Sequence, residues 1–234
     1  MKIKNSILKN FIQETSLNGE QTLTEVSLDF NETGLHLTAL VPGNVVMVKG
    51  QLRKEAFSDY TAYGKVAVLN YSELLKILGA LNNDVELTVE GSVMVFKGGR
   101  TVEVPLADNS VVEEAKVPNL DYEQSFVVSK KVFDDVEKNS SFANNKNDSV
   151  NVLFEGSNNT LKVSYGSKYK FKDVVTVEGL TNDFKVKFGS PFIDAVHNLT
   201  GDLTVQMKSD FPVTVSKKTD DYAVKIIVAP RIEN

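Results

Sequence analysis

Most of this chain reads as short apolar runs separated by polar turns. The runs at 45–52, 85–89, 93–96 and 102–106, and those at 150–154, 160–165, 204–207 and 223–228, are rich in β-branched residues. They are bounded by Gly, Asn or Asp and predict strands. Turn signals recur at close intervals, at Asn31-Glu-Thr-Gly34, Glu90-Gly-Ser92, Gly98-Gly99, Gly156-Ser-Asn-Asn159 and Thr219-Asp-Asp221. Four segments switch to helical spacing. They are 6–16 (Ile7, Leu8, Phe11, Ile12), 71–81 (Leu74, Leu75, Leu78, Leu81), 129–142 (Val132, Phe133, Val136) and 190–199 (Phe192, Ile193, Val196, Leu199). Each predicted helix has one apolar and one polar face, and Asn5, Asn70, Ser129 and Ser190 are expected caps or first-turn residues.

The order of elements repeats. Helix, strands, helix, strands occurs once in each half, with corresponding helices offset by roughly 120 residues, as in a duplicated unit. The boundaries expected are 1–106 for the first unit, 107–123 for a connector and 124–234 for the second. The connector is acidic, carries Pro118 and has no clear period.

With 234 residues the chain can bury a core in each of two domains. It has no cysteine, which removes disulfides and thiolate metal sites and fits a reducing compartment. No apolar run has the length of a membrane span, and the first residues do not read as a signal peptide. The Asn-x-Ser/Thr triplets at Asn31, Asn158 and Asn198 are read as chance products of composition. A net charge of −5 argues against a broad basic surface for nucleic acid, but leaves room for cations gathered on one face.

Catalytic chemistry finds little support. Neither a phosphate-binding Gly-rich motif nor a nucleophile elbow occurs, and Gly98-Gly-Arg100 reads as a hairpin turn. His36 and His197 lack metal-ligand spacing, and Asp134-Asp135 and Asp220-Asp221 read as solvated pairs. The chain is expected to be neither an enzyme nor a cofactor carrier. The polar helix faces carry Lys9, Asn10 and Gln13; Glu73 and Lys76; Lys130, Lys131, Asp134, Asp135 and Lys138; Asp194, His197 and Asn198. They read either as ordinary solvated faces or as one surface presenting lysines to phosphates. The pattern alone does not choose.

Several motifs resemble the proliferating-cell-nuclear-antigen family of DNA sliding clamps. The end of the chain, Asp210-Phe-Pro-Val-Thr-Val215 followed by Ala223-Val-Lys-Ile-Ile-Val-Ala-Pro-Arg-Ile-Glu233, is similar to that family's ending. Ser6-Ile-Leu-Lys-Asn10, Gly34-Leu-His-Leu-Thr-Ala-Leu40 with Asn44-Val-Val-Met47, Phe57-Ser-Asp-Tyr60, Leu74-Leu-Lys-Ile-Leu78 and Arg100-Thr-Val-Glu-Val-Pro-Leu106 resemble further family segments, in order. Departures include Asn44, Val41-Pro42, Asp135 and Phe142, and they point to an archaeal, viral or phage type of clamp.

The resemblance implies an α+β fold of two similar clamp domains, each with outer β-sheets and two inner helices, that forms a ring. It implies a polymerase processivity factor that encircles duplex DNA. Its further partners would be a DNA polymerase, a clamp loader, peptide-motif proteins such as ligase or flap nuclease, and two further copies of itself. Its place would be the cytoplasm and nucleoid, or a nuclear or viral replication site. Lys9, Lys76, Lys138 and His197 would face DNA. Leu40, Val45, Met47, Leu120, Pro212, Ile227, Ala229, Pro230 and Ile232 would form the partner-peptide pocket. Val102, Val104, Phe171 and Val174 would lie at the subunit interface. The alternatives are a clamp-fold subunit acting as a monomer or in a heterotrimer, and an unrelated all-β binding module.

Overall fold

The computed structural model describes residues 1–41, 43, 45–112, 115–122, 124–144 and 150–231, without the side chain of Ser141. The first half contains β1 (Lys2–Lys4), α1 (Asn5–Thr15), β2 (Glu25–Asn31), β3 (Gly34–Leu40), β4 (Val46–Arg53), β5 (Phe57–Ser58), β6 (Gly64–Leu69), α2 (Leu74–Gly79), β7 (Asp84–Glu90), β8 (Val93–Lys97) and β9 (Thr101–Ala107). The second contains β10 (Gln124–Ser129), α3 (Lys131–Ala143), β11 (Asn151–Ser157), β12 (Thr160–Tyr165), β13 (Phe171–Thr176), β14 (Phe184–Gly189), α4 (Ser190–Val196), β15 (Asp202–Met207), β16 (Val213–Lys218) and β17 (Tyr222–Val228).

Sheet pairing repeats as the element order does. The first half builds β4-β3-β2-β6 and β1-β7-β8-β9; the second builds β13-β12-β11-β14 and β10-β15-β16-β17. All of these pairings are antiparallel. Strands of period two put one face inward, and the buried positions follow it: Val152, Phe154, Leu161, Val163, Val186 and Phe188 point to the helices. Phe133 of α3 and Phe192 of α4 meet Phe154 at 6.3 and 5.3 Å between ring centroids, edge to face. Phe11 of α1 meets Tyr222 at 6.0 Å in the same way.

The halves join through the backbone. β17 pairs with β4 over seven residues, from Tyr222 opposite Leu52 to Val228 opposite Val46, so one sheet crosses the boundary. Beneath the joint, the Glu14 carboxylate of α1 is buried with the Lys217 ammonium and accepts from the Thr200 hydroxyl at 2.9 Å. Asn198 donates to the Leu17 carbonyl at 2.6 Å. Gly50 of β4 lets α1 approach: a Cβ there would lie 2.8 Å from the Phe11 ring and from Thr15.

Two local expectations change. The segment at 71–81 is a short 3-10 turn, Tyr71–Glu73, followed by α2, because the chain enters at Asn70 in the left-handed region. Asn5 does not cap its own helix; its side-chain amide donates to the Leu78, Leu81 and Asn82 carbonyls and closes the end of α2.

Candidate functional site

Three regions correspond to the residues singled out in the sequence. The first is the helical face. α1 and α4 both pack on β4 and β17, α2 packs against α1, and α3 against α4, so the four helices lie on one side of the molecule. Lys9, Lys76, Lys131 and Lys138 are exposed on it. Its charge is nearly balanced. Lys76 pairs with Glu73 at 3.3 Å, and Lys130 is buried and held by Asp134. His197 Nδ1 lies 2.7 and 2.9 Å from the two oxygens of Glu137. Asp194 has its pKa raised by burial and by the neighbouring Glu20 and Glu137 carboxylates, partly offset by His197. Asn198, expected on the solvated face, instead bonds back to the first domain.

The second region lies on the opposite face, over the β4–β17 joint. Register puts Leu40, Met47, Ile227 and Thr214 in one row across β3, β4, β17 and β16. Leu40 is 40% exposed, whereas Met47 and Ile227 are each at 7% although they point away from the helices. The Ala229 amide donates to the Val45 carbonyl, which brings that pair alongside. Pro212 immediately precedes β16, and Pro230 continues the segment after β17; both are half-buried. Tyr122, between Leu120 and β10, bonds Thr214 through its hydroxyl at 2.6 Å and packs edge to face on Phe211 at 5.7 Å. Seven of the nine residues named for a peptide pocket therefore gather here, and half-buried Leu120 sits two residues from Tyr122. Ile232 and Asn44 lie outside the described residues. Tyr122 and Phe211 were missed; an aromatic on each side of the predicted pocket was the available signal.

The third region is a pair of open edges. In β9 the Leu106 amide donates to Ser92 and the Gly98 amide to Arg100, which fixes the ladder phase. Val102 and Val104 thus turn their amides to β8, and Thr101 and Glu103 turn theirs outward. Val104, named for the subunit interface, has its side chain in its own core (8% exposed) and its amide in its own sheet. Pro105, at an outward position, has no N–H to leave unpaired. In β13 the Val177 amide donates to Asn159, so Phe171, Asp173 and Val175 bond to β12 while Lys172, Val174 and Thr176 face outward. Val174 is 65% exposed, and Tyr169 and Phe142 flank the same edge half-exposed, with Phe142 edge to face on Phe171 at 5.5 Å.

Among the described residues no group of carboxylates and histidines has metal-binding geometry. No helix among them is long and apolar enough to cross a membrane.

Comparison with known proteins gives one consistent answer. Residues 2–95 match the family model described as the proliferating cell nuclear antigen N-terminal domain. The DNA polymerase sliding clamp of Thermoplasma acidophilum is 25% identical over 230 residues, covering 90% of this chain and 91% of that one. That of Methanococcoides burtonii is 24% identical and covers 97% and 96%. Among solved structures, A. fulgidus PCNA bound to the C-terminal region of FEN-1 superposes with a TM-score of 0.82 at 22% identity, covering 100% of this chain and 98% of that one. The chain has the two-domain clamp fold, and along its length it is similar to sliding clamps of the proliferating cell nuclear antigen family.

Proposed function

We propose that three copies of this chain close head to tail into a ring around duplex DNA, and that the ring tethers DNA polymerase and other replication proteins without catalysing a reaction. One observation carries the reading. By position in the repeat, β9 is the counterpart of β17, and β13 the counterpart of β4. Inside the chain β17 pairs with β4; among the described residues β13 has no second strand partner and β9 a two-residue one with β6, at Leu106 and Ala107. Pairing β9 of one copy with β13 of the next would repeat the internal joint, satisfy the outward amides and cover Val174, Phe142 and Tyr169. Open edges of this kind otherwise invite aggregation. Such an interface is heterologous and closes by rotation. Val102 and Phe171 would flank it; Val104 would support it from within.

A ring holds DNA by topology, which is compatible with a nearly neutral helical face. Lys9, Lys76 and Lys138 would keep that face from repelling phosphates, with His197 a weaker contributor because Glu137 engages it. Partner proteins, including a flap nuclease or ligase, would dock a short peptide over Leu40, Met47 and Ile227, with Leu120, Pro212, Ala229 and Pro230 at its margins. A clamp loader would open the ring, at the site of genome replication. The connector proposed between the domains, 107–123, carries the Tyr122 side of that pocket.

Light scattering tests the ring: a trimer mass is expected at about 10 μM, in the range where a stable oligomer persists. A monomer mass at that concentration and above would sink the reading. The pocket is tested by titrating a Gln-x-x-hydrophobic-x-x-aromatic-aromatic peptide against the protein and its Ile227→Asp variant. A charge in an apolar anchor position should cost more than about 2 kcal/mol of binding, with the trimer kept. Equal binding by the two proteins would reject the assignment.

A further inference from the structure

Among the described residues, basic side chains gather in rows on the face of the second domain away from the helices. In the sheet β13-β12-β11-β14, register sets Lys172, Ser164, Leu153 and Lys187 in one row across the four strands, and Val174, Lys162, Glu155 and Lys185 in the next. The alternate residues of these strands are buried against α3 and α4, so strand periodicity alone turns all four lysines to the opposite face. Arg231 extends the first row: its amide donates to the Lys187 carbonyl at 2.7 Å and its guanidinium to Asn151 at 2.7 Å. Within the two rows and Arg231 there are five cations and one carboxylate, Glu155, which stands 3.6 Å from Lys185. A shallow cleft of about 290 Å³ opens on this face. Among the described residues its polar lining is Lys170, Lys172 and Lys187 with Asn144, Asn151, Ser164, Tyr165 and Ser167, and none of these is an acid. A neighbouring groove along β14 adds Lys185 and Arg231, with Asp210 the carboxylate among its described lining.

We propose that this outer face of the second domain binds the phosphate backbone of a nucleic acid strand, separately from any duplex enclosed by the ring. Lysine, arginine, serine and asparagine are the side chains that contact phosphate oxygens without reading sequence. The apolar lining of the cleft is half-buried Leu153 and Phe171 with buried Tyr165, so it offers an acidic peptide little exposed apolar anchor. Lysines two apart on a strand sit about 6.6 Å apart along it, a spacing that suits successive phosphates of one extended strand. In a protein of net charge −5, five cations beside one carboxylate among the described residues of these rows are a local reversal of sign.

The test uses a fluorescent, covalently closed single-stranded DNA circle, which cannot thread a closed ring without a loader. The wild-type protein should bind it at low salt, whether or not the protein is a trimer. Lys170→Gln/Lys172→Gln/Lys187→Gln should weaken binding at least tenfold. It should also lower the salt slope by about 2, at about 0.7 per phosphate contact for a single strand. Lys162→Gln/Lys185→Gln, on the same face, should weaken it in the same direction and guards against a folding defect in the triple variant. Lys54→Gln/Lys97→Gln, exposed in the first domain, should bind as wild type. Absence of binding by wild type, equal loss in the first-domain variant, or equally tight binding of a poly-glutamate peptide would each overturn the proposal.

Discussion

At the scale of single residues, the joint between the halves rests on an ion pair with little access to water. Glu14 is 3% exposed, and besides Lys217 and Thr200 it has one carboxylate oxygen with no partner. Removing the cation leaves a buried charge uncompensated, which costs about 3–5 kcal/mol where it has been measured, while replacing both partners by apolar groups costs far less. Lys217→Met should therefore lower the stability measured by urea unfolding by several kcal/mol, and Glu14→Leu/Lys217→Met should recover most of it. Equal stability of the single and double variants would show that the pair matters little. His36 offers a second residue-level test. Burial lowers its pKa below the ordinary imidazole value, with Lys49 acting the same way and Asp29 opposing. The unfolded chain then binds the proton more readily than the folded one, so stability is full above the ordinary value and declines as pH falls through it. The melting temperature of wild type relative to His36→Gln should drop between about pH 7.5 and about pH 5.5. A constant difference would rule that account out.

Elements carry the assembly. In β9 the phase of the ladder decides which substitution reports on it. Val104→Pro would remove an amide that serves β8 and should destabilise the fold itself. Glu103→Pro removes one that faces outward, so it should dissociate the trimer in light scattering while leaving the circular dichroism spectrum unchanged. A folded trimer from Glu103→Pro would mean β9 does not pair between copies. This phase was not legible from composition. Runs of β-branched residues placed β4, β7, β8, β9, β11, β12, β15 and β17, and helical spacing placed all four helices, yet both are blind to which N–H bonds to which neighbour. Pro105 was the one clue: a proline inside a strand pattern marks an outward position. β1, β2, β5, β6, β10 and β14 fell outside those runs, and β1 and β5, at two or three residues, are too short to give a period. The lysine rows were legible in principle, since Lys170 with Lys172 and Lys185 with Lys187 are spaced two apart, but a net charge of −5 does not show where cations gather.

For the whole molecule, the distribution of charge argues how such a ring would meet DNA. On the helical face the described lysines are matched by Glu73, Asp134, Asp135, Glu137 and Asp194, so net attraction to an enclosed duplex is small. Retention by topology needs no more than that, and a weak electrostatic hold favours sliding. The contributions of individual lysines should differ by their local partners. Lys76 already faces Glu73 at 3.3 Å, so Lys76→Ala removes a cation largely compensated. Lys9 lies on α1, which has no acidic residue in its first turn, and its neighbours Asn10 and Gln13 are neutral. In clamp-dependent primer extension, Lys9→Ala should reduce synthesis more than Lys76→Ala, and Lys9→Ala/Lys76→Ala/Lys138→Ala more than either. Each true phosphate contact removed should lower the slope of log affinity against log salt by about 0.9. The folded trimer should persist in all three, because these side chains are exposed. If the triple variant supports synthesis like wild type from low to high salt, the helical face does not touch DNA and enclosure alone accounts for processivity.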